Sequence, residues 1–201
     1  MSARTRLFAT LIAALALAAL AAQAVVTARE NPAFTPPEVL WRLVRYFTIL
    51  TNALVAGTFG WMAARGRMAG RAWLGGLALW IGIVAVVYHL LLARELSGLA
   101  ALADAGLHTV VPLLVVGFWL AAAPKRGLAL RDAGLWLLWP LVYVGYALLR
   151  GQGEGVYPYF FVDPGEIGWA GVARWSGILC LGFFTAGAAQ VGLARIWPRG
   201  R

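Results

Sequence analysis

Charge is scarce in this chain. Of 201 residues, 12% are charged and 62% are hydrophobic. Soluble domains carry about 25% charged residues, so this composition excludes a soluble globular protein. Acidic residues are scarcest, 8 against 17 basic, for a net charge of +9. No basic stretch is long enough to track phosphates, so that charge does not point to a nucleic-acid partner. There is one cysteine, Cys180. It excludes an intrachain disulfide and has no metal-type spacing. In its apolar run it reads as a small buried hydrophobe. Histidines number two, His89 and His108. The G-x-S-x-G signature of soluble hydrolases is absent.

What the chain does have is length of apolar run. Mean hydropathy is +0.77. Six apolar segments fall at about 7–26, 40–64, 73–93, 106–123, 133–149 and 170–194, each near the ~20 residues that span a bilayer. The ten Trp and six Tyr suit repeated crossings of the interface. No repeat and no long linker divides the chain. The expectation is an all-α polytopic membrane protein, one domain over 1–201, folded as a six-helix bundle. Arg4 and Arg6, the apolar run and Ala21-Ala22-Gln23-Ala24 resemble a signal peptide. The run is longer than a signal core, and the reading here retains it as the first helix.

The sparse charges fall unevenly between the loops: one set is basic, and the intervening loops hold Arg29, Arg94 and Arg150 with Glu30, Glu38, Glu95, Asp104, Glu154, Asp163 and Glu166. Arg4 and Arg6 precede the first segment. Arg65, Arg67 and Arg71 follow the second, Lys125, Arg126 and Arg131 the fourth, and Arg195, Arg199 and Arg201 the sixth. Of the acidic residues only Asp132 falls in those loops. The positive-inside rule then places both termini in the cytoplasm. On the outer side, the prolines at 32, 36 and 37 predict an extended link over about 27–39. The glycines of Gly151-Gln152-Gly153-Glu154-Gly155 predict tight turns, ahead of an aromatic run from Val156 to Phe161.

Polar side chains inside apolar segments are costly unless they pair or line a cavity. Arg45-Tyr46-Phe47-Thr48-Ile49-Leu50-Thr51-Asn52 is dense in them. Helical spacing puts Arg45, Thr48 and Asn52 on one face. With the helix entering near residue 40, Thr48 lies ~12 Å along its axis, while Arg42 and Arg45 reach back to the surface. Thr51 reads as a hydroxyl bonded to its own helix. Asp104 stands four residues before His108, on the same face if that helix starts upstream. His89, beside Tyr88, ends the third segment, and Arg174 enters the sixth. These groups gather in the outer half. A threonine hydroxyl becomes a nucleophile when a base takes its proton. His108 can be that base, Asp104 its orienting partner, and Arg45 or Asn52 the donor to an oxyanion.

Three stretches resemble the androgen-inducible membrane hydrolases and their bacterial six-helix relatives. Arg45-Tyr46-Phe47-Thr48 is similar to that family's basic-Tyr-apolar-Thr sequence. Leu107-His108-Thr109-Val110-Val111-Pro112 is similar to its apolar-His-Thr segment. Val156-Tyr157-Pro158-Tyr159 is similar to the stretch before its last helix. The resemblance implies that Thr48 is a nucleophile, that His108 is its partner, and that fatty acid esters of hydroxy fatty acids or similar lipid esters are substrates. It implies no metal and no cofactor. Tyr88, His89, Tyr157, Tyr159 and Arg174 are then pocket candidates. Tyr88 with His89, and the surroundings of Thr51 and Asn52, depart from the animal enzymes. Two readings compete. One is a non-catalytic protein that binds or transports lipid, or binds a partner, through the same pocket. The other is a haem protein ligated by His89 and His108.

Overall fold

The computed structural model describes residues 1–196; Arg199 and Arg201 lie outside them. All regular structure among the described residues is helical. Six helical stretches are long and apolar enough to cross a membrane: Ala3–Glu30, Phe47–Arg65, Arg71–Leu92, Gly98–Ala121, Leu130–Glu154 and Pro164–Ile196. The chain is thus an all-α, multi-pass membrane protein. It forms two compact units, Met1–Pro124 and the chain from Lys125 onward.

The first unit starts with α1 (Ala3–Glu30), an unbroken helix whose buried positions include Ala9, Ala13, Ala16 and Ala19. Small side chains let a second backbone approach, which is how helices pack without a hydrophobic drive between them. The expected extended link does not form as drawn. α1 runs to Glu30, and Pro36 and Pro37 open α2 (Pro36–Leu43). Proline suits a first helical turn, where its missing N–H has no partner to lose. Glu38 Oε2 accepts from the Thr35 amide and hydroxyl, both at 2.7 Å, and fixes that start.

The second apolar segment is not one helix. It breaks at Val44–Tyr46, where the amides of Arg45 and Tyr46 donate to Arg42 O (3.4 Å) and Leu43 O (3.1 Å). Then α3 (Phe47–Arg65) begins, ending on Gly66 at φ 62°. α4 (Arg71–Val87) runs into a π-helical turn at Tyr88–Leu92. The fourth span starts at Gly98 rather than 106, as α5 (Gly98–Ala105), a second π turn (Gly106–Val110) and α6 (Val111–Ala121). Pro112 explains that π turn. It has no N–H for the carbonyl of His108, and its ring crowds that carbonyl. The helix widens instead, with Val111 N–H bonded to Gly106 O. Gly106 also lets α1 come close, since a Cβ there would lie 2.7 Å from that of Ala19.

One apolar cluster joins these pieces. Ala19 of α1, Val39 and Leu43 of α2, Ile49 of α3 and Leu107 of the π turn pack together, with Tyr46 against them. It sets the neighbours of Ile49 and Leu107, which are Thr48 and His108.

The second unit contains α7 (Leu130–Trp136), α8 (Leu138–Glu154), a 3-10 turn (Phe160–Val162) and α9 (Pro164–Ile196). Gly151 and Gly153 are helical rather than turn residues, because α8 continues to Glu154 and stops on Gly155 at φ 69°. Gly151 turns its bare face to the Tyr157 ring, where any Cβ would collide. α9 starts before residue 170 and bends at Gly168, φ 68°. Cys180 is half-buried, not fully buried as its apolar run suggested.

Candidate functional site

Helix breaks decide which predicted residues meet. Arg45 sits in the turn between α2 and α3, so it does not share a helical face with Thr48 and Asn52. It is buried rather than reaching outward. Thr48 is the second residue of α3 and of its span, not a residue well along a longer one. That places it in a first turn, where main-chain amides lack intrahelical acceptors and the helix dipole is positive.

Asn52 lies one turn further on and is fully buried. Its Nδ2 donates to Thr48 O at 2.9 Å and to Leu107 O at 3.2 Å. One amide nitrogen therefore ties the turn of Thr48 to the residue before His108. Both its hydrogens are spent on carbonyls, so Asn52 has none left for an oxyanion. Its Oδ1 is buried with no hydrogen-bond partner among the described residues. Thr51, on the same turn, is also fully buried.

The histidines come together through the two π turns. His108 Nδ1 meets Asp104 Oδ1 at 3.0 Å and Asp104 O at 3.2 Å. The side chains are 15% and 22% exposed, so the pair is shielded but reachable. The early start of α5 makes this possible, since both residues need one continuous helix. Tyr88 stacks on His108, centroids 3.7 Å apart at 10°. It also meets His89 edge-on at 5.2 Å. The Tyr88 hydroxyl is buried with no hydrogen-bond partner among the described residues. His89 Nε2 lies 3.0 Å from Thr109 Oγ1.

Tyr88, His89, Asp104 and His108 are thus one cluster, and Asn52 links it to the turn of Thr48. Among the described residues no hydrogen bond joins Thr48 to His108 directly. The haem alternative fits poorly: His89 Nε2 is engaged by Thr109, and the Tyr88 ring lies against both imidazoles. No three of the described His, Cys, Asp and Glu side chains group to hold a metal ion.

The other pocket candidates belong to the second unit. Tyr157 packs on Gly151, Tyr159 stacks on Phe161 with centroids 5.0 Å apart, and Arg174 is exposed. Arg150 there is held by Tyr146 OH (2.7 Å) and Glu154 Oε1 (2.8 Å). The partnership of His89 with Thr109 had no signal in the sequence, because 20 residues separate them and no repeat pattern links them.

No protein-family model matches this chain, and no curated protein and no solved structure matches it.

Proposed function

We propose that the first unit is a threonine-dependent hydrolase of lipid-like esters, with Thr48 as nucleophile and His108 as base. The observation that carries the reading is the double hydrogen bond of Asn52 to Thr48 O and Leu107 O, which sets the hydroxyl-bearing turn beside the histidine-bearing one. Asp104 fixes the imidazole through Nδ1 and leaves Nε2 for a hydroxyl. Thr48 attacks the ester carbonyl as His108 takes its proton, an acyl-threonine forms, and water releases the acid. In this reading the oxyanion takes its donors from the first turn of α3 rather than from Asn52. Between α1 and α2 an apolar groove of about 340 Å³ shares Val39 and Leu43 with the cluster that holds Ile49 and Leu107. Its lining suits an acyl chain. The resemblance of Arg45–Thr48 and Leu107–Pro112 to membrane hydrolases points the same way. In this reading the protein sits in a bacterial inner membrane with both termini cytoplasmic and the site in the outer half of the bilayer.

The test is covalent labelling. A fluorophosphonate incubated with purified protein is expected to modify Thr48, and Thr48→Ala is expected to lose both the label and hydrolysis of fatty esters. Undiminished labelling in Thr48→Ala removes the nucleophile assignment. Lipid binding without any turnover supports the non-catalytic lipid-binding alternative.

A further inference from the structure

Cleaving an ester needs two proton transfers, one from the attacking hydroxyl and one to the departing oxygen. His108 suits the first. Its ring is fixed at one edge by Asp104 and across one face by Tyr88, so it is held in a single plane. A second imidazole stands next to it. We propose that the His89–Thr109 pair delivers the proton to the leaving alcohol, and that it serves esters of unactivated aliphatic alcohols. The proposal rests on the reading of Thr48 and His108 as the nucleophile pair.

Three observations support it. The His89–Thr109 contact is already formed at 3.0 Å, within proton-transfer reach. Thr109 follows His108 on the same π turn, and Tyr88 touches both imidazoles, so the pair borders the same cluster. His89 is exposed in the last turn of its span, whereas His108 is largely shielded. At the end of a span the imidazole meets the interface, where water is at hand for proton exchange. π turns re-aim side chains and are frequent at functional sites.

The protons balance. With His89 as the imidazolium, protonated on both ring nitrogens, its Nε2–H donates to Thr109 Oγ1 and leaves the hydroxyl hydrogen free. When the tetrahedral intermediate collapses, the bond from carbonyl carbon to alcohol oxygen breaks. The departing oxygen takes the Thr109 hydroxyl proton, Thr109 Oγ1 takes the His89 proton, and solvent refills His89. His108 returns the Thr48 proton to solvent before it activates water for deacylation. One proton enters and one leaves, and ester plus water gives acid plus alcohol.

Leaving-group dependence tests this. Full-length protein is assayed with two esters of one fatty acid, a secondary alkyl ester and a p-nitrophenyl ester. p-Nitrophenolate leaves without a proton, whereas an alkoxide does not. His89→Gln and Thr109→Val are expected to lower kcat/KM on the alkyl ester about a hundredfold, the low end for general acid catalysis. On the aryl ester the expected change is below about threefold, which also reports intact folding, and Thr109→Ser restores the alkyl activity. Equal losses on both esters, or no loss on either, overturn the proposal. The underlying reading is tested separately: Thr48→Ala must abolish turnover of both esters. Retained turnover in Thr48→Ala refutes the nucleophile while the leaving-group ratio still reads His89. No turnover of either ester by the unaltered protein refutes both.

Discussion

Asn52 shows how a single side chain can matter more to geometry than to stability. It makes an interhelical bond to Leu107 O, and in membranes such bonds contribute only about 0.6 kcal/mol on average. Its Oδ1 is buried without a partner, a condition that costs about 1–3 kcal/mol. Replacing Asn52 with Leu relieves that penalty, loses the bonds to Thr48 O and Leu107 O, and puts two larger methyl groups where the amide stood. Overpacking a filled site costs about 1–3 kcal/mol; with the lost bonds it offsets the penalty relieved, so Asn52→Leu is expected to stay within about 1–2 kcal/mol of the parent in a denaturant titration. The turn of Thr48 then loses its tie to Leu107. Ester hydrolysis is expected to fall at least tenfold, since misplacing a reacting group by ~1 Å costs up to about a hundredfold. Stability and activity falling together would mean that Asn52 only holds the fold.

At the scale of elements, the spans were legible and their interruptions were not. Lipid imposes length and apolarity on every crossing, and both can be counted along a sequence. The break at Val44–Tyr46 has no such signature. No proline or glycine marks it, and it follows from seating Leu43, Tyr46 and Ile49 in one cluster with α1 and the π turn. Pro112 did carry a sign of the π turn, whose cause is the blocked carbonyl of His108. The pairing of Asp104 with His108 was readable because it is local, four residues along one helix. The contacts of Tyr88 with His108 and of His89 with Thr109 join separate spans and were not. The start of α2 was misread because prolines both end and begin helices. Its Glu38 lies outside the spans, and hydrogen bonds from the Thr35 hydroxyl and amide hold its carboxyl below the ordinary value of 4.5. A depressed folded pKa contributes stability that is present above 4.5 and lost as pH falls through the folded value. Protection factors at the Thr35 and Val39 amides, with the intrinsic pH dependence of exchange divided out, are therefore expected to fall in acid. In Glu38→Gln they are expected to be low already at neutral pH and to lose most of that acid dependence. Identical pH profiles for the two proteins would show that the bond does not hold the helix start.

For the molecule as a whole, orientation rests on where basic side chains lie. Arg6 Nε donates to Ala63 O at 2.7 Å, so the start of α1 and the end of α3 share one end of the first unit. Both ends are rich in arginine: Arg4 and Arg6 on α1, Arg65, Arg67 and Arg71 at and beyond α3. The opposite ends of these helices lead into segments with Glu30 and Glu38. Two features thus agree on one polarity, the pairing of helix ends and the basic clusters at them; the link at the opposite end mixes Glu30 and Glu38 with Arg29, Arg42 and Arg45. Moving a cluster of three arginines across a bilayer is strongly disfavoured, which is the physical content of the positive-inside rule. Single cysteines in a Cys180→Ala background can read that polarity in intact cells. With a membrane-impermeant maleimide, Glu30→Cys and Glu95→Cys are expected to label at once. Ser2→Cys and Arg67→Cys are expected to label only after the membrane is permeabilised. The reverse pattern would turn the His89–Thr109 edge toward the cytoplasm, and the ester substrates would then have to come from the inner leaflet.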